Sequence, residues 1–434
     1  MDGTSLYEPR GMTLGLPAGL LVVFAVALFM AAATCEARCS GGASPTLGVA
    51  AAPAGASEVR GLWVVRHTLD TAEGVRAVVE AARENNFNTL FVQVRGRGEA
   101  YYRSEIEPRS SELTKSSPGD FDPLDLLLTL AHQAGIEVHA WVNVFFTWSD
   151  PAPPQSPRHI VNTHPEWITA DANGVSLGEL SPGELKDRWI EGIYLSPGIP
   201  AVRRYVADVV EEIVSRYPID GVHLDYVRYP AGRTGLDDYS RAQFEKEHLF
   251  DPLAFFNWTG GSGLFCGPLA VSDVSALWEE WRADQVTAFV SLLASELRSM
   301  APDLLISAAV RPDPRRAYVE YGQDWLRWLR EGYIDMAAPM IYTESTKKFF
   351  QALGELKRAV PDSLERHILA GISLYNETPR HAAEKIKVAR AADLGGFVLF
   401  SYDSAVSQKS AAYLPYLKAN ALGSEGLDRT AQGR

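Results

Sequence analysis

DGVHLDYVRYP, from Asp220 to Pro230, is the stretch whose reading decides the fold. Its first half alternates like a strand. Val222 and Leu224 take one face, and Gly221, His223 and Asp225 take the other. A strand buried in a parallel sheet is ordinarily apolar on both faces. Here two polar side chains share a face, and the run breaks at Tyr229-Pro230. A buried carboxylate must be paired or solvated. The C-terminal ends of parallel barrel strands are where such groups meet substrate. The plainer alternative is that Asp225 caps the next loop or pairs with Arg228. The rest of the chain bears on the choice.

Outward from this stretch, apolar strand-like runs alternate with amphipathic helical runs. Strands are predicted at Val59–His67, Thr89–Arg95, Glu137–Phe145, Gly221–Tyr226, Leu304–Val310, Met336–Tyr342, His367–Leu374 and Gly396–Tyr402. Helices are predicted between them, at Ala72–Asn85, Pro123–Ala134, Ala201–Tyr217, Leu277–Met300, Gln323–Glu331, Lys347–Val360 and Pro379–Asp393, with a shorter one near Ala411–Ala419. Repeated β-α units of this number predict a (β/α)8 TIM barrel. An open doubly wound sheet would carry a glycine-rich phosphate turn after its first strand, and none is present. Two strand-to-helix connections are long: Phe146–Pro200 after strand three and Ala231–Ala276 after strand four. Both are rich in aromatics, with Trp148, Trp167, Trp189 and Tyr194 in the first and Tyr239, Phe255, Phe256, Trp258 and Phe265 in the second. Such side chains either stack on the apolar faces of sugar rings or form the loops' own cores.

The 434 residues carry a net charge of −13. An acidic surface argues against nucleic acid as the partner. The run Leu14–Thr34 holds no charged residue and ends among small residues, which predicts an export signal or an N-terminal membrane anchor over 1–37. A Gly/Ala/Ser linker over 38–57, a barrel domain over 58–420 and a polar tail over 421–434 follow. Membrane contact is expected only through the N-terminal segment, and the protein is expected to work outside the cytoplasm. Cys35, Cys39 and Cys266 show no zinc spacing and no disulfide framework.

Polar residues gather at the predicted strand ends: Gln93 and Arg95, then Glu99; His139, Trp141 and Asn143; His223 and Asp225; Arg311; Tyr342 and Glu344; Ser401 and Asp403. A purely structural barrel gains nothing from desolvating so many polar groups. Metal-ligand clusters, a GxSxG elbow and an in-strand lysine are all missing, so no metal or organic cofactor is implied. Two carboxyl groups, one ionised and one protonated, suffice to hydrolyse a glycosidic bond. Asp225 is the candidate for the ionised one, kept so by Arg95, Arg228 or Arg311. Glu344 is the first candidate proton donor and Glu99 the second. Arg95, Asn143, His223, Arg311, Tyr342, Asp403 and Trp141 are candidate substrate contacts. For His223 the alternative is a neutral histidine of the barrel core.

Seven ordered motifs then point to a known family: EVRGLWV (58–64), FNTLFVQVRGRGEAYY (87–102), HAWVNVF (139–145), HPEWI (164–168), YLSPGIPAVRRYV (194–206), DGVHLDYVRYP and AAPMIYTE (337–344). Together they resemble the glycosyl-hydrolase-like family 10, also known as DUF187, over about Glu58 to Ala419. The resemblance implies a (β/α)8 barrel, an exported or lipid-anchored bacterial protein and glycoside hydrolysis. It also implies, for some members, cell-wall glycans such as peptide-free peptidoglycan strands. Two positions depart from the family pattern: Tyr226 stands where many members have a second acid, and Glu99 where many have Asp.

These readings converge on a hydrolase of an extracytoplasmic polysaccharide or oligosaccharide. An N-acetyl group on the sugar would allow substrate assistance, with Asp225 polarising it. A glycan-binding protein without catalysis is the alternative. It shares the barrel mouth but needs no acid with a raised pKa.

Overall fold

Apolar runs form the eight parallel strands β1 (Val59–Val64), β2 (Thr89–Gly96), β3 (Glu137–Asn143), β4 (Gly221–Asp225), β5 (Leu305–Val310), β6 (Met336–Pro339), β7 (Leu369–Ser373) and β8 (Gly396–Phe400). The computed structural model describes residues 58–256, 271–407 and 412–423, all within one unit, Leu47–Arg434. The expected leader and linker, Trp258, Phe265, the three cysteines and residues 424–434 lie outside the described residues. Among the described residues, no helix is long and apolar enough to cross a membrane.

The strands neighbour one another in the order β7-β8-β1-β2-β3-β4-β5-β6. Two isolated parallel bridges, Ala337 with Ile368 and Met340 with Gly371, join β6 to β7 and bring the barrel close to full closure. This seam is thin for a local reason. Pro339 has no N–H to donate. Gly371 permits the close approach, since a Cβ there would lie 2.7 Å from the Pro339 carbonyl oxygen.

Each strand is followed by a helix on the outside: α1 (Ala72–Glu84), α2 (Pro123–Gln133), α3 (Pro200–Arg216), α4 (Val271–Met300), α5 (Trp325–Arg330), α6 (Thr346–Ala359), α7 (Pro379–Ala391) and α8 (Tyr413–Leu417). In α1, Val75, Val78, Val79 and Ala82 share one buried face at helical spacing, and the Thr71 hydroxyl caps its start. Proline opens α2, α3 and α7, where its missing N–H costs nothing. The architecture is the expected (β/α)8 barrel.

Several boundaries differ from expectation. β1 stops at Val64, because Arg66–Asp70 coils into a 3-10 turn. β6 ends at Pro339, short of Tyr342. The helix expected over Gln323–Glu331 is shorter, and Pro314–Tyr321 forms an additional one before it.

The barrel interior is aromatic. Trp63, Phe91, Trp141, Ala338, Leu369 and Val398 pack in one cluster inside the ring. Large and small residues alternate below them. A Cβ on Gly221 would meet the His139 ring at 2.5 Å, and one on Gly61 would meet Phe91 at 2.7 Å. The glycines thus make room for the rings that fill the floor.

Candidate active site

β4 and β3 lie in register with His223 beside Trp141 and Asp225 beside Asn143. Asp225 is the last residue of its strand, at the floor of a cavity of about 800 Å³ at the C-terminal mouth. Trp63, Trp141, Tyr342 and Phe400 line the aromatic part of that cavity. Gln93, Asn143, Arg66, Arg97, Arg228 and Arg311 bring polar groups to it.

Asp225 is 9% exposed. Its Oδ2 accepts from Trp141 Nε1–H at 3.1 Å, and its Oδ1 accepts from the Tyr226 backbone N–H at 2.7 Å. Tyr226 adopts φ 50°, a left-handed conformation uncommon for a bulky residue and often found at functional sites. Its ring stacks on Phe146 at 4.7 Å. Burial pushes the Asp225 carboxyl up to about 6, against the lowering effect of the Tyr226 N–H, the Arg228 charge and the Trp141 N–H. Arginine was expected to keep this group low. Arg228 does act in that direction, but desolvation is the larger effect.

A second carboxylate shares the cavity: Glu191, from the first long connection. Sequence reasoning passed over it. Phe146–Trp148 pairs antiparallel with Ile193–Tyr194 and folds the connection back on itself. Gly192 sits at the crossing, where a Cβ would lie 2.2 Å from the Trp148 carbonyl oxygen. This delivers Glu191 to Arg228, whose Nη2 donates to Oε1 at 2.8 Å, while the Tyr194 hydroxyl donates to Oε2 at 3.0 Å. The Glu191 side chain is 41% exposed at the rim of the cavity, and the partial desolvation it has would push its carboxyl up. The charge and hydrogen bond of Arg228, with the Tyr194 hydroxyl, outweigh it and hold the group below its usual value. Arg228 is itself fixed among rings, 4.9 Å from Tyr226 and 5.1 Å from Tyr321. The Glu191 charge also raises Asp225, so the two carboxyls sense each other.

Trp141 and Asn143 line the same cavity as the alternation of β3 requires, and Arg311 and Tyr342 reach it from just beyond the ends of β5 and β6. Asn143 Oδ1 accepts from Gln93 Nε2 at 3.2 Å, and Arg311 Nη2 donates to the Tyr321 hydroxyl at 2.5 Å. Tyr342 stacks on Phe400 with ring centres 5.6 Å apart.

The remaining candidates lie elsewhere. Register slips between Gln93 and Arg95, a one-residue bulge that turns Arg95 out of the barrel. Arg95 is fully buried behind the sheet, paired with Glu107 at 2.6 Å and bonded to the Asn143 carbonyl. Glu99 is outside the cavity lining, in a small hairpin with β2, and accepts from the Ser111 N–H at 3.2 Å. Burial raises its carboxyl against that N–H and the charges of Arg66 and Arg97. Glu344 is exposed and outside the lining, because β6 has already ended and α6 begins two residues later. Asp403 lies in a helical turn, where the strand alternation has stopped, and accepts from the Val65 N–H at 3.0 Å and from the Thr68 hydroxyl. His223 is buried one layer below the cavity. Its Nε2 accepts from Trp63 Nε1–H at 3.1 Å, so its Nδ1–H donates to Ser307 Oγ at 2.8 Å. Burial, with His139 beside it, holds it neutral far below its usual pKa. It is a core histidine.

Among the described residues, no group of three or more His, Cys, Asp or Glu is placed to hold a metal ion. The arrangement instead offers two carboxyls whose proton affinities are pushed in opposite directions, beside an aromatic floor. That is the chemistry of a glycosidase-like site.

Comparison with known proteins agrees with this class. The family model for glycosyl hydrolase-like 10 matches residues 58–384, and the chain belongs to that family. Glycosyl hydrolase DigH of Escherichia coli K12 is 28% identical over 278 residues, covering 59% of this chain and 54% of the relative. Glycosyl hydrolase YngK of Bacillus subtilis is 25% identical over 287 residues, covering 61% and 48%. The chain thus spans about half the length of the curated relatives it matches. The fold is shared with the PgaB glycoside hydrolase domain of Bordetella bronchiseptica, at TM-score 0.61 and 14% identity over 85% of this chain and 100% of that one. A β-galactosidase of the psychrophilic Marinomonas ef1 shares it at TM-score 0.55 and 13% identity, over 83% and 58%.

Proposed function

We propose that this chain is an exported glycoside hydrolase that cleaves O-glycosidic bonds of an extracytoplasmic polysaccharide or oligosaccharide, foremost a cell-wall glycan containing N-acetylhexosamine. The observation that carries the reading is the pairing of Asp225, pushed up to about 6, with Glu191, held low by Arg228. A binding protein has no need of such a pair. The cell-wall substrate and export rest on the family resemblance and on the uncharged run Leu14–Thr34.

In this reading the roles differ from the sequence expectation. Asp225 carries the mobile proton. It passes that proton to the glycosidic oxygen as the bond from C1 to oxygen breaks. The ionised Glu191 balances the positive charge that develops on the ring. Water then adds its oxygen to C1, and its released proton returns to Asp225. The Trp141 N–H orients the Asp225 carboxyl, and Tyr342 and Trp141 offer apolar faces to the sugar. No cofactor enters the sequence of steps.

The test is product release, read by mass spectrometry, from peptide-free peptidoglycan strands, chitin oligomers, poly-glucosamine and α-glucans. The expected result is cleavage of the N-acetylated strands. Binding to those strands with no product from any glycan at pH 5 to 7 would instead mark a lectin-like barrel.

A further inference from the structure

A second cavity of about 540 Å³ adjoins the first. Ser149 and Glu191 line both. At their junction Arg97, on the wall of the first, pairs with Asp150, on the wall of the second, at 3.6 Å. Both volumes lie within the span of about 300–1,000 Å³ usual for small-ligand sites. The character of the second is different. Its lining includes Pro151, Pro153, Pro154 and Leu180 with the single basic residue Lys186, and it has no counterpart of the first cavity's arginine cluster.

Trp189 stands at its edge, 85% exposed. Tryptophan is ordinarily among the better-buried side chains. The backbone here is also left-handed, at φ 59°. That conformation disfavours a large side chain and is costly unless the surroundings fix it. They do: the Trp189 N–H donates to the Lys186 carbonyl at 3.0 Å, and the next N–H, of Ile190, donates to the Leu185 carbonyl at 2.9 Å. The turn holds the indole out in solvent at the edge of a largely apolar trough, two residues before the carboxylate that faces the first cavity.

We infer that the trough beside Trp189 is a distal subsite for the same glycan chain, holding a non-reacting sugar whose apolar face stacks on the indole. This rests on the glycoside hydrolase reading above and adds a length preference to it. Glu191 and Ser149 border both cavities, so a chain that occupies both lies against the reacting carboxyls. The apolar trough takes the C–H face of a sugar and has no basic cluster to recognise a phosphate. Binding energy collected there makes longer chains better substrates than short ones.

The experiment measures kcat/KM on chitin oligosaccharides of increasing length and on sized peptide-free peptidoglycan strands. In the wild type the value rises with length, through KM. In Trp189→Ala the rise shrinks on the order of tenfold, and in Trp189→Phe most of it returns. The indole touches solvent, so both variants keep the wild-type melting temperature, which separates loss of binding from loss of folding. Equal length dependence in wild type and Trp189→Ala overturns the subsite while leaving the hydrolase reading in place. A wild type that cleaves no chain of any length overturns both.

Discussion

At the scale of single residues, the site turns on one carboxyl moved out of its ordinary range. Asp225 gains this from its place: a strand end beside the Trp141 indole, where burial outweighs an arginine. The cost appears in stability. A carboxyl whose folded pKa lies above its unfolded value favours the fold while protonated, below about pH 4, and that advantage is lost as pH rises through about 6. The stability of Asp225→Asn relative to wild type therefore shifts in the variant's favour by up to about 3 kcal/mol between about pH 3 and a pH above about 6, on top of a constant cost from the one N–H that the new amide nitrogen cannot accept. Denaturant titrations at the two pH values check it; equal effects at both contradict it. The neighbours carry opposite signs. Glu191→Gln removes a charge that raises Asp225, so the upper limb of the pH–rate profile moves down by about 1 pH unit, with lower activity. Arg228→Met removes a charge that lowers Asp225, so that limb moves up. Two shifts of the same sign would refute the placement of these charges.

At the scale of elements, the site depends on where regular alternation stops. Inward alternation along β3 and β4 was readable from the sequence, and it carried Trp141, Asn143 and Asp225 correctly to the mouth. It failed for Arg95, because the bulge falls at Val94, a residue that reads as ordinary strand. It failed for Asp403 and Glu344 because a helix had begun or a strand had ended. Glu191 was invisible for another reason: the order of its loop depends on a pairing between distant segments and on space for Gly192 beside Trp148. Two substitutions test this layer. Arg95→Met strips a buried carboxylate of its partner and costs about 3–5 kcal/mol, measured by denaturant unfolding. KM of the folded enzyme stays at the wild-type value; a KM raised tenfold would return Arg95 to the substrate site. Gly221→Ala forces a methyl into the His139 ring and costs about 1–3 kcal/mol. His139→Ala in the same chain removes the clash, so the double variant is more stable than the sum of the two losses predicts.

At the scale of the whole molecule, the barrel was the most legible feature, because eight buried parallel strands with intervening helices have few other ways to pack. The ring gathers side chains from β1 to β8 at one mouth, and the long connection after β3 folds over that mouth to supply Glu191 and the trough beyond it. Family membership agrees with that arrangement, and the proposed reaction follows from the two carboxyls it brings together. The most direct test of that reaction is the kcat/KM of Asp225→Asn against wild type on peptide-free peptidoglycan strands at pH 5.5. The account predicts a loss of about 10²–10⁴-fold in a variant whose circular dichroism and cooperative unfolding match the parent's. A rate within threefold of wild type would contradict it, since the proton would then come from elsewhere.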